Sequence, residues 1–140
     1  MATTPTSRPT NVVDATRVAE WKKIVAQYQE PSLPRATWQI LNTFVPYVAL
    51  WWLMYLCMRE PVRTIDYWLA FGLAVLAGGF MIRVFIIFHD CGHGSYFKSR
   101  TANAVWGFLS GIVTFTPLYH WRWEHSVHHA SSGDLDRRGT

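Results

Sequence analysis

Charged residues are spread unevenly along these 140 residues, and the gaps between them define the architecture. Trp38 to Met58 is a run of 21 residues without a charge, bounded by Arg35 and Arg59. At about 1.5 Å per residue it reaches roughly 30 Å, the thickness of a bilayer core, so it predicts a membrane-spanning helix. Pro46 lies inside it, where a membrane helix tolerates a kink, and Trp38, Trp51, Trp52 and Tyr55 supply aromatic anchors towards its ends. The short polar turn Arg59-Glu60-Pro61-Val62-Arg63-Thr64 separates it from a second predicted span, Ile65 to Phe88, uncharged from Tyr67 to Ile82. Arg83 interrupts that second run near its end, close enough to the surface to snorkel or to pair with a carboxylate.

Before the hairpin, residues 1–10 are rich in Thr, Pro and Ser and read as disordered. A helix is predicted from Asp14, as N-cap, to Gln29. Val18, Trp21, Val25 and Tyr28 recur at helical spacing, and Lys22 and Lys23 lie on the other side. Such a helix suits a membrane surface or the rest of the protein equally well. Pro31 and Pro34 are expected to end it. After the hairpin, Thr101 to Tyr119 is again uncharged. Its apolar content is diluted by Asn103, Gly107, Ser110, Gly111, Thr114, Thr116 and Pro117, while Val105, Phe108, Leu109 and Ile112 recur on one face. That pattern predicts an interfacial helix rather than a third span.

Composition agrees with a membrane setting. Charged residues make up 16% of the chain, below the roughly 25% usual in soluble domains. The net charge of +4 is modest and the basic residues are scattered, which argues against nucleic acid as a partner. Arg8, Arg17, Lys22, Lys23 and Arg35 precede the first run and Lys98 and Arg100 follow the second, against Arg59 and Arg63 in the turn. This asymmetry predicts both ends of the hairpin in the cytoplasm. The two cysteines are no disulfide framework: Cys57 reads as a packing residue, and Cys91 points away from the flanking histidines.

The candidate chemistry lies in the histidines, five of six of which form two clusters: His89 and His93 in HDCGH, and His125, His128 and His129 in EHSVHH. Helical spacings of three and four residues put each cluster on one face. A lone HxxxH pair recurs by accident, and histidines also cap helices, but two such clusters after apolar runs point to a nitrogen-rich metal site for iron, copper, zinc or nickel. Five imidazoles exceed one closed zinc site, so two metal ions are plausible. Asp90, Glu124, Asp134 and Asp136 are candidates to accept hydrogen bonds from the second ring nitrogens of the ligands, or are simply solvated. His120 faces another direction and is assigned a supporting or interfacial place. The clusters share a site only if Thr101–Tyr119 does not cross the bilayer.

HDCGHGSYF after a membrane hairpin, followed about thirty residues later by WRWEHSVHH, resembles the first two histidine boxes of membrane fatty acid desaturases, most closely the acyl-lipid Δ12/ω6 kind. The resemblance runs from Trp38 to the end of the chain. It implies a non-haem di-iron centre that uses dioxygen and two electrons to introduce a double bond into a fatty acyl chain. His89, His93, His125, His128 and His129 would then all be iron ligands. It implies an acyl lipid or acyl thioester as substrate and an electron donor such as ferredoxin or cytochrome b5. The family also uses a third histidine box, and no histidine follows His129. The chain accordingly reads as an amino-terminal portion, inactive alone. The alternatives are a related membrane hydroxylase or ketolase, and a non-catalytic metal- or haem-binding membrane protein. The expected fold is all-α and multi-pass: residues 1–37 a cytoplasmic amino-terminal segment, 38–88 a transmembrane hairpin, and 89–140 a cytoplasmic metal-binding segment with interfacial helices.

Overall fold

A computed structural model describes residues 15–26, 28 and 30–131. The expectations for residues 1–10, Asp14, Gln29, Asp134 and Asp136 lie outside the described residues. Those described form helices joined by turns, with no strand among them. The chain divides into two units at residue 30. The first holds α1 (Ala15–Ala26), shorter than the predicted Asp14–Gln29 and exposing Trp21 and Ile24.

The second unit begins with α2 (Leu33–Cys57), which starts five residues before the predicted Trp38. Pro34 falls in its first turn instead of ending the preceding helix, as expected from sequence. In a first turn the missing N–H would have no intrahelical partner in any case, so proline opens a helix there. The helix continues through Pro46. After the turn, α3 (Thr64–His93) is 30 residues long and extends five residues past the predicted Phe88, so that HDCGH is its last turn. Asp66 secures its start, accepting the Arg63 backbone N–H at 2.8 Å and pairing with the Arg63 guanidinium at 3.0 Å. Gly94, at φ 73°, closes its end in the left-handed conformation that glycine adopts without strain.

Helices α2 and α3 run antiparallel, and both are long and apolar enough to cross a membrane. Their main buried cluster lies at one end, where Ala36 and Ile40 meet Ile87, Cys91, Tyr96 and Phe97. Towards the turn, Val45, Val48, Trp51, Trp52, Trp68, Phe71 and Val75 remain exposed. Helices apolar on every face suit lipid rather than water. Arg83, for which sequence suggested snorkelling or a carboxylate, instead donates to the Asn42 side-chain carbonyl (2.7 Å) and the Thr43 hydroxyl (3.2 Å) of α2. An amide and a hydroxyl thus supply the acceptors.

The loop 94–99 is fixed by Asn103, which is buried. Its carbonyl oxygen accepts the Phe97 N–H, and its amide group faces the carbonyls of Phe97 (2.7 Å), Ser99 (3.0 Å) and Gly94 (3.2 Å). Tyr96 donates from this loop to the Ala36 carbonyl of α2 at 3.0 Å. Burial pushes its hydroxyl up to about 12, so it remains a donor at neutral pH.

Helix α4 (Arg100–Val113), capped by the Ser99 hydroxyl, runs back along α3 and buries Asn103, Gly107, Ser110 and Gly111. Gly107 is flanked by Cys91 and Leu118, and Gly111 by Phe88 and the Thr116 carbonyl; a Cβ at Gly111 would lie 2.6 Å from that oxygen. Small residues let the backbones approach, as in membrane helix pairs. Val105, Phe108, Leu109 and Ile112 face outward, the single apolar face expected from sequence. A tight turn through Phe115 (φ 54°) leads to α5 (Leu118–Ser131), which returns towards the end of α3.

Candidate metal centre

The last turn of α3 and the middle of α5 meet at histidines. His89 and His93, one turn apart on α3, share a face. One ring nitrogen from each of His89, His93 and His125 lies within 4.8 Å of those of the other two. The Nε2 of His93 is 3.3 Å from that of His89 and 3.1 Å from that of His125, and His125 Nε2 is 3.0 Å from that of His129. His128 stands aside, its ring centroid 6.1 Å from that of His125 and 5.9 Å from that of His129. Four of the five predicted residues therefore converge, and His128 lies at the edge.

Hydrogen bonding does not account for this geometry. Each neutral imidazole nitrogen carries either one hydrogen or one lone pair, so it serves a single bond. Four nitrogens can then make two hydrogen bonds, whereas these four make three close contacts. A cation receiving the lone pairs removes the conflict. The spacing suits it: two nitrogens each about 2.1 Å from one ion, at 90–109°, lie roughly 3.0–3.4 Å apart.

Surrounding groups orient the rings and bear on their charge. Asp90 Oδ1 lies 3.0 Å from His89 Nδ1, the supporting contact that the sequence suggested; a hydrogen on Nδ1 leaves the Nε2 lone pair free. Glu124, also a sequence candidate for that task, instead pairs with His120 at 3.2 Å, one turn away on α5. Both are exposed, so His120 and Glu124 form a surface pair. Burial, and then the charges of His129, His89, His93 and His128, hold His125 below the ordinary imidazole range. Cys91, as expected, points into the core and not into the site. An open cleft beside the histidines is lined by Gly92, His93, Trp121, Arg122, His125, Ser126 and His129.

Trp121 and Gly92 are the residues that sequence reasoning missed. The indole stacks on His125, with centroids 4.3 Å apart and planes at 17°, and it meets Phe88 edge-on at 4.9 Å. The available signal was the spacing of Trp121 four residues before His125, which places both on one face of a helix.

A family model described as fatty acid desaturase matches residues 66–139. A fatty acid desaturase of Bacillus subtilis is 45% identical over 118 residues, covering 84% of this chain and 32% of that protein. The sn-1 acyl-lipid omega-3 desaturase (ferredoxin) of Synechocystis is 38% identical over 73 residues, 51% of this chain and 20% of its own. A probable fatty acid desaturase of Sorghum bicolor is 32% identical over 104 residues, 74% of this chain and 25% of its own. The chain thus spans about a third or less of the length of these curated relatives. No solved structure matches it.

Proposed function

Because this chain belongs to the fatty acid desaturase family, we propose that its histidines supply part of a non-haem di-iron site that desaturates fatty acyl chains. The observation that carries the proposal is the convergence of His89, His93 and His125 from two helices on one point. His129 stands beside them, and His128 completes the proposed set of five ligands. Five imidazoles are few for two ions, so a working centre draws on further ligands, and these 140 residues alone are expected to be inactive.

When bound, the iron ions with dioxygen and two electrons would supply an oxidant able to remove hydrogen from an unactivated C–H bond. The protein's part is to hold, orient and exclude. His89 is turned by Asp90 so that its Nε2 faces the site. His125 and His129 are presented by α5, which α3 and α4 hold through Leu118 and Trp121. The apolar faces of α2, α3 and α4 surround this end of the unit with surface suited to lipid, from which an acyl chain would arrive.

In this reading residues 38–88 form the transmembrane hairpin, 1–37 and 89–140 lie on the cytoplasmic side, and α4 rests in the interface. Membership of the family and the Synechocystis relative, an acyl-lipid desaturase (ferredoxin), support an acyl-lipid substrate and ferredoxin as donor, with cytochrome b5 or an acyl thioester as the alternatives. The test is metal binding and product analysis together. Iron content of the purified protein should fall sharply in His93→Ala and His125→Ala, and gas chromatography of host lipids should show no new unsaturated product from these 140 residues alone. Undiminished iron in both variants would sink the proposal.

A further inference from the structure

His125 has an unusual support. Where His89 is oriented by a carboxylate, His125 is held by the face of Trp121, at 4.3 Å and nearly parallel. The indole is itself fixed. Phe88 meets it edge-on at 4.9 Å, Phe85 does so at 6.3 Å, and Gly92 leaves the space it occupies. A Cβ at position 92 would lie 2.5 Å from the indole Cζ3, closer than such atoms come without a shift. The ring is rigid, so relief requires the whole indole to move, and with it the surface on which His125 rests. Glycine between Cys91 and His93 is thus a socket on α3 for a side chain of α5.

We propose that Trp121, seated against Gly92, is a positioning residue that fixes the plane of the His125 imidazole and keeps its Nε2 turned towards His93 and His129. The proposal rests on His125 being a metal ligand. It adds that α5 is registered against α3 at the height of the histidines by an aromatic ring in a glycine socket. Residues that orient a ligand commonly change metal affinity by about 10–100-fold when removed.

Two readouts separate positioning from simple packing. In metal-free protein in nanodiscs, the His125 ring protons, assigned by their loss in His125→Ala, should be shifted upfield by the stacked indole. Trp121→Leu and Gly92→Ala should both move them towards the positions of an unstacked imidazole. In Co(II) titrations, Trp121→Leu should weaken binding by roughly 10–100-fold and alter the visible spectrum, with Trp121→Phe intermediate. Gly92→Ala should reproduce the loss. The Gly92→Ala/Trp121→Leu double variant should be no worse than Trp121→Leu alone, because both changes remove one contact. Wild-type Co(II) affinity and spectrum in Trp121→Phe and Trp121→Leu, with binding lost in His125→Ala, would overturn positioning while leaving the metal site standing. Wild-type binding in His125→Ala would overturn both. Should Trp121→Leu fail to fold by circular dichroism, Trp121→Phe and Gly92→Ala decide the matter.

Discussion

A histidine ligand binds metal only as its neutral form, so proton competition sets the acid limit of the site. Burial, followed by its histidine neighbours, depresses His125, so the folded state favours the neutral ring. The corresponding stability is present above the unfolded value near 6.5 and is lost as pH falls through the depressed folded value. Between neutral pH and the acid side of the ordinary histidine value of about 6.5, Co(II) binding should therefore persist further than for an unperturbed imidazole. Titrations across that range check this; a midpoint above the ordinary histidine value would contradict it. The ring positions give a second expectation. His129 Nε2 lies 3.0 Å from that of His125, whereas His128 meets His125 only ring to ring at 6.1 Å, so His129→Ala should weaken the first metal equivalent more than His128→Ala does. Equal losses would show that His128 turns inward on binding. The sequence made both clusters legible, but not this ranking. From His125, positions i+3 and i+4 fall on opposite sides of the same helical face, and only the placement of α3 decides which side is the site.

At the level of elements, the loop joining the first histidine pair to α4 depends on one side chain. Asn103 engages backbone groups of Gly94, Phe97 and Ser99 from a buried position. Asn103→Leu would leave those groups without partners and should cost about 2–3 kcal/mol, read by thermal unfolding in detergent. The hairpin has a comparable fastening in Arg83, Asn42 and Thr43. Removing an acceptor while keeping the charge is worse than removing the charge, because the guanidinium is left short of partners. Asn42→Leu should thus destabilise more than Arg83→Met; the opposite order would mean that the charge itself does the fastening. The helices were legible in outline because runs of apolar residues of this length have few other fates. Their ends were not. Pro34 looks like a terminator until its place in the first turn is known, and HDCGH has no local feature that says α3 continues through it. The α4 face was read correctly, but the reason Gly107 and Gly111 are small, contact with Leu118, Cys91 and Phe88, is a tertiary fact.

For the unit formed by residues 31–131, antiparallel α2 and α3 carry their polar chemistry at one end and an apolar surface over the rest. If both helices cross a bilayer, Ser32 and the histidines must lie on one side and the turn around residues 58–63 on the other. Crossing is favoured by length, by exposure of apolar residues around both helices, and by Arg83 finding partners near the histidine end, where a charge is least costly. The alternative is a hairpin lying flat on the membrane, with one exposed face immersed and the other wet. It fits poorly, because α3 exposes both Tyr67 and Leu69, positions about 200° apart around a helix, which would not reach lipid together. Labelling discriminates the two. Single cysteines introduced at Ser32, Arg63 and Ser95, in a background lacking Cys57 and Cys91, would be treated with a membrane-impermeant maleimide in sealed right-side-out and inverted vesicles. Crossing requires Ser32→Cys and Ser95→Cys to react together in one vesicle orientation and Arg63→Cys only in the other. The cytoplasmic assignment further requires the first two to react in the inverted vesicles. Reaction of all three from one side would remove the spanning hairpin, and with it the case for a metal site fed from within the bilayer.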